Sequence, residues 1–168
     1  MIYSHNYLLS FLLHEKRFAV ALDTVESVVR SVAVTSIPGA NELIHGIFDF
    51  HGIVIPAINL RYRLGMPTKE ISLNDRFIII QTSKRKLALV VDEIEEVQKP
   101  VDNDISEIEI PITENQLNKS QHPGIIMTRL FRDIQGIILI YDVEKLLDSD
   151  VEIQLDALLK YRDGAAVK

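Results

Sequence analysis

Apolar residues fall along this chain in short runs of strand length, and nearly every run ends at a glycine, a proline or a cluster of charges. Tyr7 to Leu13 is one such run; His14-Glu15-Lys16 interrupts it and Arg17 to Leu22 resumes it, which predicts a hairpin. Asp23 to Val29 sets Val25, Val28 and Val29 at helical spacing, but so many β-branched side chains favour extended backbone. Pro38-Gly39 predicts a turn. The stretch from Pro38 to Gly65 then predicts the hairpin around which the rest is arranged. Its reversal lies at Phe50-His51-Gly52, where Gly52 can take the positive φ that His or Phe would resist, and Ile53 to Ile58 follows as a buried strand. Pro56 has no N–H for a ladder and is expected at a sheet edge or a bulge. Pro100 to Pro123 is polar and reads as a long loop. Near the C-terminus, Ser149 and Glu152 have capping-box spacing, and Val151, Leu155, Leu158 and Leu159 form a stripe that predicts an amphipathic helix from Asp150 to Tyr161.

The pattern occurs twice. Lys16-Arg17-Phe18-Ala19-Val20-Ala21-Leu22-Asp23 matches Arg85-Lys86-Leu87-Ala88-Leu89-Val90-Val91-Asp92 class for class, and the match runs on at the same offset until Val28 lies over Val97. Gly46-Ile47-Phe48 then pairs with Gly124-Ile125-Ile126, and Gly52-Ile53-Val54-Ile55 with Gly136-Ile137-Ile138-Leu139. An internal duplication explains this. Each copy supplies two hairpins and a middle segment, about five strands, the number a small closed barrel uses to remove its edges. The expected fold is therefore mainly β: two small five-stranded barrels, about 17–64 and 76–139, packed together with strands exchanged near the termini, plus short helices and a C-terminal helix and tail over 148–168.

Composition narrows the function. The chain has 168 residues and is 47% hydrophobic, enough for one cored globular unit. Without cysteine there is no disulfide or thiolate chemistry, which fits a reducing compartment such as the cytoplasm. The formal charge of −6 argues against nucleic acid, and no apolar run is long enough to span a membrane. The histidines His5, His14, His45, His51 and His122 lack the spacing that sets two imidazoles on one metal. No phosphate-cradling glycine loop or nucleophile elbow occurs, so no cofactor, metal or catalytic residue is expected. The carboxylates at Asp92, Glu93, Glu95, Glu96, Asp102, Asp104, Glu107 and Glu109 read as a solvated acidic face, and Lys84-Arg85-Lys86 as a basic hairpin tip that protects a sheet edge.

Taken in order and spacing, Phe18-Ala19-Val20, Leu22-Asp23-Thr24-Val25, Ile37-Pro38-Gly39, Gly46-Ile47, the block Gly52 to Arg61, Leu89 to Ile94 and Asp142 to Leu147 resemble the CheW family of chemotaxis coupling proteins, over roughly Tyr7 to Leu147. The resemblance implies a non-enzymatic adaptor that joins the cytoplasmic tips of chemoreceptors to the regulatory domain of a CheA-type histidine kinase. A CheW-like scaffold of a pilus or other non-flagellar pathway, and a β-barrel binding a small molecule, are the alternatives. Two positions depart from the family pattern. Asp49-Phe50-His51-Gly52 stands where that pattern reads Asn-Leu-Arg-Gly, and Ser27 stands where it has an acidic residue. Imidazole offers fewer donors than guanidinium and titrates near neutrality, so a contact made by His51 is expected to strengthen as pH falls through about 6.5. The candidate partner-binding residues are Val25, Ser27, Val28, Ile47, His51 and Gly52, with Val25, Val28 and Ile47 as apolar anchors.

Overall fold

The computed structural model describes residues 7–101, 104–111 and 125–165. Its strands are β1 (Leu8–Leu13), β2 (Lys16–Ala21), β3 (Val25–Arg30), β4 (Ile44–Phe50), β5 (Ile53–Ile58), β6 (Arg76–Gln81), β7 (Lys86–Val91), β8 (Glu93–Gln98), β9 (Ile105–Pro111), β10 (Ile125–Asp133) and β11 (Gly136–Ile140). Two α-helices accompany them, α1 (Leu60–Arg63) and α2 (Ser149–Ala165).

The strands form a six-stranded sheet in the order β8-β1-β2-β11-β10-β9 and a five-stranded sheet in the order β3-β6-β7-β5-β4. The duplication is visible in these orders, because β8, β1, β2, β11 and β10 occupy the places of β3, β6, β7, β5 and β4. Each sheet takes its central hairpin from the other repeat. The segments 17–64 and 76–139 consequently each contribute strands to both sheets. The borrowed hairpin enters by a parallel pairing, β2 with β11 at Phe18 and Ala19 and β7 with β5 at Ala88 and Leu89.

Closed barrels are not what forms. Among the described residues both sheets are open, with β8 and β9 as the edges of one and β3 and β4 as the edges of the other. In the five-stranded sheet the gap is spanned by a single bridge: Thr35, just past β3, exchanges hydrogen bonds of 2.8 and 2.9 Å with Ile47 on β4. Closure needs a continuous ladder, and one residue pair does not supply it. Glycine is required beside this bridge, because a Cβ on Gly46 would collide with the Thr35 carbonyl.

Burial on both faces explains why the inner strands read as unbroken apolar runs rather than alternating ones. On β6, Ile78 and Ile80 enter the core between the sheets together with Phe11, Phe18, Leu87 and Leu89, while Phe77 and Ile79 enter a second core with Phe48, Ile55 and Ala88. The third core, with Leu8, Ala19, Phe131, Ile138 and Ile140, lies on the six-stranded sheet. Edge strand β3 does alternate, with Val25, Ser27 and Val29 half-buried and Glu26, Val28 and Arg30 exposed.

Ion pairs tie the exchanged hairpins in place, and they too follow the repeat. Arg17 on β2 pairs with Glu95 on β8, and at the matching positions Lys86 on β7 pairs with Glu26 on β3. Arg17 also forks onto Asp133 at the end of β10, at 2.7 and 2.8 Å. Its hydrogen bonds hold the Asp133 carboxyl well below the usual range, against the opposing effect of burial.

Several local expectations are revised. Pro56 is buried within the inner strand β5, but β7 joins β5 only from Ala57 onward, so its missing N–H falls outside that parallel ladder. His51 itself has φ of 53° and Gly52 has 83°, so both loop residues are left-handed, as a two-residue hairpin loop of the mirror-image type requires. The polar stretch from Pro100 to Pro123 contains β9, whose seven residues pair along β10; 102–103 and 112–123 lie outside the described residues. The cap of α2 is Asp148, whose Oδ1 accepts the Val151 N–H at 2.9 Å, not the expected Ser149 and Glu152 pair. Glu152 turns instead to Arg85, which also meets Asp156. The middle of the basic tip is thus a tether between the β6–β7 hairpin and α2.

Candidate partner-binding surface

The six candidate residues fall on the two edges of the five-stranded sheet. Val25, Ser27 and Val28 lie on β3; Ile47 lies on β4, with His51 and Gly52 in the loop that follows it. The chain from 31 to 35 links the groups, since it leaves β3 and bridges to Ile47 at Thr35.

Each position has its own character. Val25 packs against the between-sheet core, so it is a structural residue first. Ser27 is half-buried and its Oγ has no hydrogen-bond partner, which leaves a hydroxyl desolvated without compensation. Val28 faces solvent, as the alternation of edge strand β3 places it, between the half-buried Ser27 and Val29. Ile47 is half-buried opposite Pro56. His51 is exposed, with its ring edge on Phe50 at 4.4 Å. Gly52 is exposed as well and donates its N–H to Asp49 Oδ1 at 3.0 Å, which closes the loop.

The structure adds residues to this surface. Ile53, paired across from Phe50, is 47% exposed and Val28, on edge strand β3, is 39% exposed, and the repeat-related Ile137 and Val97 are each 50% exposed on the other sheet. Large apolar side chains are thus left in water at the same two places in both halves. The sequence held this signal, since the duplication already sets Val28 over Val97 and Ile53 over Ile137. Between the sheets, Phe11, Phe18, Leu60, Leu64 and Tyr141 line a small apolar depression.

Charged groups around the surface are matched locally. The Arg61 guanidinium reaches Asp92 Oδ2 at 2.7 Å, and the His14 N–H reaches the same oxygen at 2.8 Å. Burial pushes the Asp92 carboxyl up, but these two hydrogen bonds outweigh it and hold the group below its usual range. Lys69 clamps the buried Asp75 at 2.7 Å in the linker before β6. Nearby, burial and then Lys69 push the His45 imidazole down. Asp92 and Glu95, from the acidic run, are therefore spent on arginine partners and do not face each other as an acid and base pair. Among the described residues no three His, Asp or Glu side chains gather in a way that would hold a metal ion, and no helix is long and apolar enough to cross a membrane.

Comparison with known proteins accounts for the duplicated sheets. A family model described as the CheW-like domain matches residues 7–151, which contain all eleven strands. The chemotaxis protein CheW of Thermotoga maritima is 26% identical over 143 residues, covering 83% of this chain and 86% of that protein. CheW of Bacillus subtilis is 33% identical over 87 residues, covering 52% of this chain and 56% of that protein. The crystal structure of the scaffolding protein CheW from Thermoanaerobacter tengcongensis superposes with a TM-score of 0.70 at 27% identity, covering 87% of this chain and 94% of that one. A family match across both sheets, with a solved scaffold of the same shape, places this chain in the CheW family.

Proposed function

We propose that this protein is a non-enzymatic cytoplasmic adaptor that couples the cytoplasmic tip of a chemoreceptor to the regulatory domain of a CheA-type histidine kinase, without metal or nucleotide. The carrying observation is the repeated exposure of apolar side chains, Val28 with Ile53 on one sheet and Val97 with Ile137 on the other. Contiguous exposed apolar surface rimmed by polar residues marks protein interaction sites, and the recurrence of the same exposures in both halves is what sets these residues apart from singly scattered ones. A duplicated fold offers two related but unequal surfaces, and joining two different partners needs two surfaces. The same reading treats 1–147 as the CheW-like domain, with a subdomain around each sheet, and 148–168 as an appended helix and tail.

Under this reading Val28, Ile47, Ile53 and the His51-Gly52 loop belong to one partner's footprint, while Val25 and Ser27 support it from below. A standard interface buries about 1,600 Å² in total and depends on a few anchors. The test is titration calorimetry against a purified CheA-type regulatory domain and a receptor-tip fragment. Val28→Glu and Val97→Glu are each expected to lose at least one of the two partners while urea midpoints stay at the wild-type value. Both variants binding both partners at wild-type affinity would overturn the proposal.

A further inference from the structure

Helix α2 begins where the family match ends: it runs Ser149–Ala165, and the matched domain stops at 151. Among its described side chains, Val151 and Leu155, one turn apart, are the fully buried ones, and they join the core cluster that contains Leu43, Leu60 and Leu87. Glu152 and Asp156, each next in sequence to one of those two, converge on Arg85. Gln154 Oε1 accepts the Asn41 N–H at 2.8 Å. Further along, Leu158 and Leu159 are half-buried, and Ile153 faces solvent. A polar cleft of about 190 Å³, lined by Ser83, Lys84, Glu144 and Glu152 among others, runs along the first turn and leaves it open on one side.

Over its described side chains, 149–160, two fully buried residues and three polar ties are a light hold, and elements held this way open locally while the rest of a domain stays folded. We propose that α2 is an intramolecular ligand in a helix-binding groove, an autoinhibitory cover that an acidic amphipathic helix of a partner displaces. The resident helix spells out what the groove accepts. An apolar residue at i and another at i+4 fill the core positions, and the carboxylate after each one meets the Arg85 guanidinium, a charge-assisted contact with fixed geometry. A basic or neutral amphipathic helix would leave Arg85 unmatched. This inference does not rest on the coupling role, since the groove and its occupant are both within this chain.

The experiment uses the full-length protein and a fluorescein-labelled synthetic peptide with the sequence of Leu147 to Tyr161. In wild type the resident helix occupies the groove, so the peptide binds weakly. Leu155→Asp expels the resident helix and is expected to tighten peptide binding at least about tenfold, because the competent fraction rises. Adding Arg85→Ala to that variant is expected to weaken it again, and a peptide with lysine at both carboxylate positions is expected not to bind. Equal peptide affinity for wild type and Leu155→Asp, or none for either, would overturn the proposal. Should Leu155→Asp fail to fold, hydrogen exchange on wild type decides: α2 amides are expected to exchange at least about a hundredfold faster than those of β6 and β7. Equal protection would mean that the helix opens only with the whole fold, and the cover would not exist.

Discussion

Replacing Arg17 with methionine keeps the apolar stem and deletes the guanidinium that binds two strands of the six-stranded sheet. Nε lies 3.0 and 3.1 Å from the two Glu95 oxygens, and Nη1 and Nη2 lie 2.7 and 2.8 Å from the two Asp133 oxygens. All three side chains are largely out of water, at 12% exposure for Arg17, 19% for Glu95 and 15% for Asp133. Removing one member of a buried pair costs about 3–5 kcal/mol, because the remaining charge is stranded, and the residual exposure here points to the lower end, about 3 kcal/mol. For a chain of this size that is a fall in melting temperature of about 6–12 °C. The repeat provides an internal control. Lys86 and Glu26 are 28% and 40% exposed, so Lys86→Met is expected to cost under about 1 kcal/mol. Acid gives a second test. The folded-state pKa of Asp133 is depressed by Arg17, so its stabilisation is complete above the unfolded-state value of about 3.9 and is lost as pH falls below it toward the folded value. The stability gap between wild type and Arg17→Met, measured by urea unfolding, is therefore expected to be constant from pH 7 to about 5 and to narrow by about 1.4 kcal/mol per unit below about pH 4. A gap of the same size at pH 7 and pH 3, or no gap at neutral pH, would refute the reasoning.

Gly46→Ala is expected to break the bridge between Thr35 and Ile47, at a cost of about 2 kcal/mol, and to show faster hydrogen exchange at those two amides; unchanged protection there would contradict it. His51→Asn supplies the residue that the left-handed first loop position prefers and is expected to raise stability by about 0.5–1 kcal/mol in denaturant titration. A fragment of residues 1–70 is expected to give no cooperative unfolding transition, because β3, β4 and β5 lack the β6–β7 hairpin that joins them, and to regain one when mixed with 71–168. Folding of the fragment alone would rule this out.

The hairpins and the duplication were legible because both depend on local order: turn residues at the right places, and a class-for-class match at constant offset. Strands exchanged near the termini were expected, but which hairpins are exchanged was not legible, since a buried apolar run such as Phe77-Ile78-Ile79-Ile80 fits any inner position equally well. Strand β9 was missed because Ser106 and Glu107, adjacent between Ile105 and Ile108, break the alternation an edge strand would show, and the segment has the composition of a loop until β10 lies against it. The role of Arg85 was hidden for a similar reason, as its partners Glu152 and Asp156 are far along the chain. At the surface, the spacing located β3 and the hairpin tip, but whether Val25 or Val28 faces water was not legible, because Val25, Val28 and Val29 have helical spacing and only the assembled edge strand fixes which of them alternate outward. His51 was misjudged because propensity alone gives a left-handed position to glycine, and here the two-residue loop requires it of both residues.

The hairpin exchange bears on how this chain is made. During synthesis β1 and β2 emerge first, but their neighbours in the finished sheet are β8, which ends at Gln98, and β11, which ends at Ile140. At roughly 5–20 residues per second, the hairpin from Leu8 to Ala21 waits on the order of ten seconds for its second neighbour to leave the ribosome. Throughout that delay Leu8 and Ala19, both deeply buried at the end, lack Phe131, Ile138 and Ile140, the residues that cover them on that face of the sheet. Until β11 is made the β1–β2 ribbon keeps one edge unpaired, so yield is expected to respond to chaperone supply and to the pace of elongation as well as to the stability of the final product.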